Sequence, residues 1–535
     1  MSAMPLNETP AIEGTPMRIG IDVGGTNTDA VYMDGNGVVA MTKTATTEDV
    51  TGGIVAALRD LDRSPGVDMS QVKAVMIGTT HFTNALVEAR RLAPTAAIRL
   101  GLPATAALPP FTDWPEHLVT AMSGRPYLCH GGVEFDGRAI SPLDEDEIRK
   151  AAQDMKSNGA RSVAISSVFS PVSADDEIRA AEIVRSEVPD VMVSLSHEIG
   201  RIGLLERENA TIINAALREL APTILDSLAE TVRAAGISGR LYLSQNDGTL
   251  MDVDFARRYP VATFASGPTN SMRGAAFLSG LADCAVVDVG GTTADVGILV
   301  KNFPREAGTE VSVAGIRTNF RMPDVISIGL GGGSIVRQDG SDGSALTIGP
   351  DSVGYRLRQE ALVFGGDTLT ATDVAVAAGI ADVGDHGKVA HLSTELVDEA
   401  RATAARMASD VVDRMRTSED PIPVVAVGGG SFLVPDEFDV ASQVYRPDHY
   451  AVANAIGAAI AQVGGEVDRV FPVEPGQRDE VVARAKEEAR ERAVAAGADP
   501  GTVDIIDVDE VPIAYLPGNA TRIRVKAVGD LVLEG

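Results

Sequence analysis

Short apolar runs alternating with amphipathic stretches set the rhythm of this chain. Met17 to Val23 and Cys284 to Val289 are compact apolar runs of the kind that become buried strands. The same reading applies to Ala74–Ile77, Ala96–Leu100, Ser162–Ile165, Val191–Leu195, Arg240–Leu243 and Val424–Val427. Between them apolar positions recur at helical spacing, which predicts helices over 48–61, 144–158, 174–187, 203–235, 267–279, 396–416 and 450–463. Strands that alternate with helices predict an α/β fold with mixed sheets. The longest helical stretch, Glu206 to Gly236, reads as a spine linking regions. Segment 102–142, rich in proline and holding the only tryptophan (Trp114), reads as an irregular insertion. After residue 465 the pattern changes to a charged helix, Arg478–Ala495, and two strands, Asp504–Val508 and Arg522–Lys526.

Superposed on this rhythm is a repeat. Residues 19–31 read IGIDVGGTNTDAV and residues 285–297 read AVVDVGGTTADVG. Aligning Asp22 with Asp288 also pairs Gly24 with Gly290, Gly25 with Gly291, Thr26 with Thr292, and Asp29 with Asp295. The offset, 288 − 22 = 266 residues, is half the chain and too long for a solenoid repeat. Each copy is an apolar run, a Gly-Gly-Thr turn and a returning alternation, which predicts a β-hairpin. P-loop and dinucleotide fingerprints instead pass from strand into helix. The glycines let backbone N–H groups approach an anion, and Thr26 or Thr292 adds a hydroxyl donor. Two further glycine clusters stand at Ser327–Ser334, with Gly331 and Gly332, and at Val425–Ser431, with Gly428, Gly429, Gly430 and Ser431. The second follows a short strand and suits a loop passing a flat ligand such as adenine or ribose.

Charge and cysteine usage narrow the classes. The 535 residues carry 46 Lys and Arg against 75 Asp and Glu, a net charge of −29. That field opposes nucleic acid and anionic membrane. Two cysteines, Cys129 and Cys284, exclude a disulfide framework, a four-thiolate zinc site and a cysteine-held cluster within one chain. No run approaches the ~20 apolar residues of a membrane helix, and residues 1–16 lack the features of a signal peptide. The expectation is a cytoplasmic protein with a disordered tail at 1–16.

The paired D-x-G-G-T hairpins, the later V-G-G-G-S and a small-residue helix around Ala453–Ala458 resemble the actin-like ATPase superfamily. Within it the chain resembles the hydantoinase/oxoprolinase family, A-type subunit. The motifs that carry this are Gly78-Thr79-Thr80-His81-Phe82-Thr83-Asn84-Ala85-Leu86, Ser196–Ile199 through Glu206–Asn209, Ser244–Gly248, Ala265–Pro268 and Ser327–Ser334, in family order. His81-Phe82 departs from the family's usual small aliphatic pair, and 355–364 lacks its usual cysteine.

The resemblance implies a duplicated actin-like (ribonuclease H-like) fold with two lobes around a nucleotide cleft. The lobes would span 17–265, with the insertion 102–142, and 266–465, followed by a small C-terminal α/β appendage over 466–535. It implies ATP and Mg²⁺ as cofactors, with Asp22 and Asp288 catalytic and metal-positioning. Gly24, Gly25, Thr26, Asn27, Gly290, Gly291, Thr292, Thr293, Gly331, Gly332, Gly428, Gly429, Gly430 and Ser431 would bind the nucleotide. Lysine is scarce, so the phosphate charge is expected to rest on the metal and backbone amides. His81 is a candidate catalytic residue, the alternative being a helix N-terminal histidine packed on a loop, and Arg201 and Arg207 are candidate contacts to an acidic substrate or else surface charges on a long helix. The implied reaction is ATP-dependent hydrolysis of a cyclic amide (a hydantoin, 5-oxoproline or a lactam) by phosphorylation of the amide oxygen. A B-type or other partner subunit and an oligomer are implied as well. Two alternatives share the nucleotide motifs: the nucleotide subunit of an acetone- or acetophenone-type carboxylase, and an ATP-gated activator of the Hsp70-like kind.

Overall fold

The computed structural model describes residues 16–35, 37–47, 51–308, 311–339, 345–474, 476–513 and 519–533. Residues 1–15 of the expected tail and 48–50 of the first expected helix lie outside them.

The chain opens with an antiparallel meander of β1 (Met17–Val23), β2 (Asn27–Asp34) and β3 (Gly37–Ala45). After α1 (Gly52–Asp62), β4 (Val72–Thr79) runs parallel to β1, and α2 (His81–Val87) follows. An inserted unit holds β5 (Thr95–Leu102), α3 (Glu116–Ala121), β6 (Arg125–His130), α4 (Glu145–Ser157), β7 (Ser162–Ser167), α5 (Asp175–Glu187) and β8 (Met192–Leu195). Next come α6 (Leu204–Leu217), α7 (Leu220–Ala234), β9 (Arg240–Ser244), β10 (Thr249–Asp252), α8 (Val253–Arg258) and α9 (Ser266–Ser279). The second half starts with β11 (Cys284–Val289), β12 (Ala294–Val300), β13 (Phe303–Pro304), β14 (Val311–Val313), β15 (Ile316–Thr318) and β16 (Val325–Ile328). It continues through β17 (Ser334–Asp339), β18 (Ala345–Ser352), α10 (Leu357–Glu360), α11 (Ala371–Ala377), α12 (Thr394–Met415), β19 (Ile422–Val427) and β20 (Ala441–Tyr445). The chain closes with α13 (Ala453–Ala459), β21 (Gln462–Pro472), α14 (Arg478–Ala495), β22 (Asp504–Pro512) and β23 (Ala520–Gly529).

The repeat in the sequence becomes a repeat in topology. The first sheet contains the order β3-β2-β1-β4-β9 and the second β13-β12-β11-β19-β20. In both, the two hairpin partners are antiparallel and the last two strands parallel. This is the duplicated actin-like arrangement of two lobes. The first sheet continues past β9 through β10, β21, β23 and β22 to nine strands, so the C-terminal strands extend it rather than standing apart.

Two short-side-chain helices join the sheets. Met272, Ala275 and Ala276 of α9 pack on Val286, Val425 and Val427 of the second sheet. Ala455, Ile456 and Ala459 of α13 pack on Val31 and Met33 of the first. The helices meet backbone to backbone: a Cβ on Gly274 would lie 1.9 Å from the Ala453 carbonyl oxygen, and one on Gly457 1.8 Å from that of Asn270. A hairpin from the second half, β14–β15, also enters the first core, where Phe320 stacks edge-on to Phe264 at 5.6 Å.

Several sequence expectations change. The 206–236 spine is two helices, broken at Arg218-Glu219; Pro222 falls in the first turn of α7, where its missing N–H costs nothing, whereas a continuous helix would have needed it. The 450–463 helix covers only Ala453–Ala459, because Val463, Gly465 and Val467 alternate inward as part of β21. Segment 102–142 is not irregular throughout: it contributes α3 and β6, the latter an edge of the parallel sheet β6-β5-β7-β8. Trp114 anchors it, donating from Nε1 to Asn209 Oδ1 on α6 at 2.7 Å. Arg207 is fully buried and donates to Ser196 Oγ and to the carbonyls of Ser167, Arg201 and Ile202, while Arg201 pairs with Glu306 at 2.7 Å. Both guanidinium groups are engaged by protein acceptors, although Arg201 Nε has no hydrogen-bond partner among the described residues. Among the described residues no helix is long and apolar enough to cross a membrane.

Candidate active site

Asp22 and Asp288 are the penultimate residues of β1 and β11, and each faces an acid on the returning strand, Asp29 and Asp295. The turns that follow are built alike: Gly24 N–H bonds the Asn27 carbonyl at 3.0 Å, and Gly290 N–H bonds that of Thr293 at 2.9 Å. Those bonds use the amides of Gly24 and Gly290. The N–H groups of Gly25, Thr26, Gly291 and Thr292 have no protein partner among the described residues. The loops touch, since a Cβ on Gly291 would lie 3.1 Å from Thr26 Oγ1. Four free amides of two hairpins therefore surround one gap, an arrangement suited to an anion.

Asp22 is buried and Asp288 half-buried, and both carboxylates are held by neutral donors. Asn270 Nδ2 donates to Asp22 Oδ1 at 3.0 Å; Asn454 Nδ2 donates to Asp22 Oδ2 at 3.1 Å and to Asp29 Oδ2 at 2.8 Å. Ser271 Oγ donates to Asp288 Oδ2 and Ser327 Oγ to Asp295 Oδ1. Close packing fixes the acids as well: a Cβ on Gly78 would fall 2.2 Å from Asp22 Oδ1, and one on Gly428 2.2 Å from Asp288 Oδ1. Burial raises the Asp22 carboxyl to about 6, with Asp29 adding repulsion against the hydrogen bonds of Asn270 and Asn454. Burial likewise raises Asp288 to about 7, with Asp295 and Asp22 repelling it and Ser271 opposing. Asp295 is raised by burial too.

Among the described residues that line the gap, one is a cation. Lys43, the cross-strand partner of Asp29, places Nζ 2.6 Å from Asp29 Oδ1, and its charge favours the ionised forms of Asp22 and Asp288. The first two turns of α9 contribute Gly267, Pro268 and Ser271 to the wall, so the positive end of that helix also faces the gap. The enclosed volume is about 210 Å³. Beside it, past Gly428-Gly429, lies a cavity of about 600 Å³ walled by Ser431, Phe432, Tyr450, Arg401 and small residues of α11 and α12.

Asp22, Gly24–Asn27, Asp288, Gly290–Thr293, Gly428 and Gly429 all line the smaller cleft. Other expected residues do not. Gly331 and Gly332 stand behind the second hairpin: the Gly331 amide bonds Ser334 Oγ at 2.8 Å and the Gly332 amide bonds the Gly290 carbonyl at 3.0 Å. They brace the loop rather than offer donors. Gly430 similarly spends its amide on the Val289 carbonyl at 2.8 Å, and Ser431 borders the larger cavity. His81 caps no part of the cleft wall; its Nδ1 meets Thr79 Oγ1 while its neighbour Thr80 lines the cleft. Lys43, Asn270, Ser271 and Asn454 were not singled out by the sequence. Lys43 also corrects the expectation that no lysine shares the charge of this site.

Among the described residues no group of three or more His, Cys, Asp or Glu forms a closed metal cage. Two mutually repelling carboxylates facing one gap suit a hard divalent ion that completes its shell with water and phosphate oxygens, as Mg²⁺ does.

Comparison with known proteins follows the same lines. Residues 18–188 match the hydantoinase/oxoprolinase N-terminal region, and residues 207–386 match the hydantoinase/oxoprolinase domain. Caprolactamase subunit alpha of Pseudomonas jessenii is 27% identical over 463 residues, covering 83% of this chain and 65% of that protein. The chain thus spans less than two thirds of that relative's length. The crystal structure of the ATP-dependent caprolactamase from Pseudomonas jessenii superposes with a TM-score of 0.77 at 20% identity, over 96% of this chain and 88% of that one. Nucleotide-free acetone carboxylase gives a TM-score of 0.66 at 19% identity, over 96% and 88%. These two structures share the fold.

Proposed function

The chain belongs to the hydantoinase/oxoprolinase family, and on that premise we propose that it is an ATP-dependent hydrolase of a cyclic amide, working with a partner subunit. The observation that carries the reading is the pair Asp22, buried, and Asp288, half-buried, on two matching hairpins whose loops touch across one anion-ready gap. Relatives named as subunits of larger enzymes support the partner.

Asp22 and Asp288 would hold Mg²⁺, which supplies positive charge against the phosphates when bound. The free amides of Gly25, Thr26, Gly291 and Thr292, the threonine hydroxyls and Lys43 would orient the β- and γ-phosphates. The larger cavity beyond Gly428-Gly429 would seat the nucleoside. An amide carbonyl is a weak electrophile because resonance protects it. Phosphoryl transfer breaks the bond to ADP and forms one to the amide oxygen, with loss of the amide proton, giving a phosphoimidate. Water then adds to the amide carbon and the ring C–N bond breaks, the nitrogen taking up a proton, which leaves an acyl phosphate. A second water cleaves that acyl phosphate, so the products are ADP, phosphate and a ring-opened acid. Catalysis on this route is positioning and charge stabilisation.

The test is phosphate release from Mg-ATP in the presence of hydantoin, 5-oxoproline and lactams of increasing ring size. One ring is expected to stimulate release many-fold, with ring-opened acid formed in step. Release that depends on bicarbonate and a ketone would instead select the carboxylase alternative.

Two expectations arise from the site itself. Lys43→Met leaves Asp29 buried without its cation, and charge-assisted contacts of this kind contribute about 1.5–3 kcal/mol. Mg-ATP affinity, measured calorimetrically, should fall at least about tenfold, with Lys43→Arg recovering part of it. The second concerns pH. With Asp22 raised to about 6 and Asp288 to about 7, protons compete with the metal across that range. Mg²⁺-dependent nucleotide affinity should therefore fall as pH drops from 8 through 6, with proton release on binding detectable as a buffer-dependent heat.

A further inference from the structure

A third cavity lies at the edge of the inserted parallel sheet and shares no wall residue with the cleft. It encloses about 110 Å³ between edge strand β8 and the ends of α5, α6 and α8. Its walls bring together three arginines from three elements: Arg185 in the last turn of α5, Arg218 at the end of α6, and Arg258 at the end of α8. On a chain with net charge −29 that convergence is against the average.

The arginines are not neutralised there. One carboxylate, Glu198, shares the cavity, with Oε1 3.9 Å from Arg258 Nη2, and the Tyr259 hydroxyl also engages it. Arg218 donates from Nη1 to the Val193 carbonyl, but its Nε is buried with no hydrogen-bond partner. Arg185 has no ion-pair partner among the described residues. Three positive charges against one negative leave an excess of two. Burial lowers the Arg218 pKa; Tyr259 and Glu198 oppose that shift, and the charges of Arg258 and Arg185 add to it. An unsatisfied buried donor and unscreened like charges both cost free energy, and both are relieved by one group. That group is an oxyanion, which guanidinium donors match in charge and geometry. At ~30 Å³ per water, the space fits one such ion and little else.

We propose that this cavity is a binding site for a small oxyanion, a phosphate or a carboxylate group, separate from the paired-carboxylate cleft. Arg185 and Arg258 close on the ion from the solvent side, and Arg218 meets it from inside. The Asn214 amide holds the frame: its Nδ2 donates to Ser194 Oγ and to the Arg258 carbonyl, each at 3.0 Å.

The test is calorimetric titration of the full chain with inorganic phosphate and, in parallel, with acetate, at constant ionic strength. Three proteins are compared: the native chain, the Arg185→Gln/Arg258→Gln variant, and Asp22→Asn/Asp288→Asn. Arg185 and Arg258 are exposed, so their replacement leaves the core intact, which circular dichroism checks. The native chain and the cleft variant should bind at least one of the two ions, and the arginine variant at least tenfold more weakly. Binding of phosphate but not acetate assigns a phosphoryl group; the reverse assigns a carboxylate. Equal binding by native and arginine variant, or no binding of either ion by the native chain, overturns the proposal.

Discussion

Asp288→Asn should abolish ring-stimulated phosphate release while leaving the fold in place. The carboxyl sits at the end of β11 with Ser271 donating to it and Gly428 packed against it, so an amide of the same shape fits the same space. What is lost is charge. A raised carboxyl can still ionise at neutral pH, when a cation approaches, and an amide cannot. Removing one preorganised charge-stabilising group typically lowers turnover by about 10²–10³. Here two effects combine, weaker metal retention and poorer alignment of the transferred group, so a loss of about 10³ or more in kcat is expected. Steady-state phosphate release reads it, with thermal unfolding as the control. Because burial destabilises the ionised carboxyl, the metal-free variant should unfold no earlier than the native chain. Asp22→Asn should behave similarly, with a larger effect on metal affinity because Asn270 and Asn454 hold that carboxylate directly.

The largest effect on stability is expected at the helix crossing. Gly457→Ala places a methyl group 1.8 Å from the Asn270 carbonyl oxygen, where no contact can exist without moving a backbone. Neither helix has room to retreat, because α9 is packed on the second sheet and α13 on the first. Overpacking typically costs about 1–3 kcal/mol, and this contact is with main chain, so the upper end or beyond applies. A fall in the unfolding temperature of roughly 5–10 °C is the expected reading. The substitution reaches the cleft too: α9 carries Asn270 and α13 carries Asn454, the two donors on Asp22. Parting the helices should pull those amides off the carboxylate and weaken Mg-nucleotide binding in the folded fraction. Gly457→Ala combined with Gly274→Ala should cost less than the sum of the two, because both relieve themselves by the same separation.

The repeat at Asp22 and Asp288 was legible because its content is local. An apolar run, two glycines and a returning alternation state a hairpin wherever they occur, and the structure contains both hairpins. Most long helices and buried strands were legible for the same reason. What escaped depends on register and on distance. Lys43 reaches the gap only because β3 pairs with β2 so as to set it opposite Asp29; neither its neighbours nor the rarity of lysine announces that. Asn270 and Asn454 meet at Asp22 although 454 − 270 = 184 residues separate them. The one available signal was the small-residue run around Asn454, an odd place for an amide unless it is used. Conversely, glycine signals a close approach without saying of what. At Gly331 and Gly332 the approaching partner is the back of the hairpin loop, where the Gly290 carbonyl takes the Gly332 amide. The 450–463 pattern misled because alanine and glycine serve tightly packed helices and tightly packed strands alike.

The measurement closest to the central claim is calorimetric titration of the chain with ATP, with and without Mg²⁺, alongside Asp22→Asn/Asp288→Asn. The account predicts tight binding by the native chain that requires the metal, and binding by the double variant that is weak and indifferent to it. No nucleotide binding by the native chain, or binding unaffected by both the metal and the two substitutions, would contradict it.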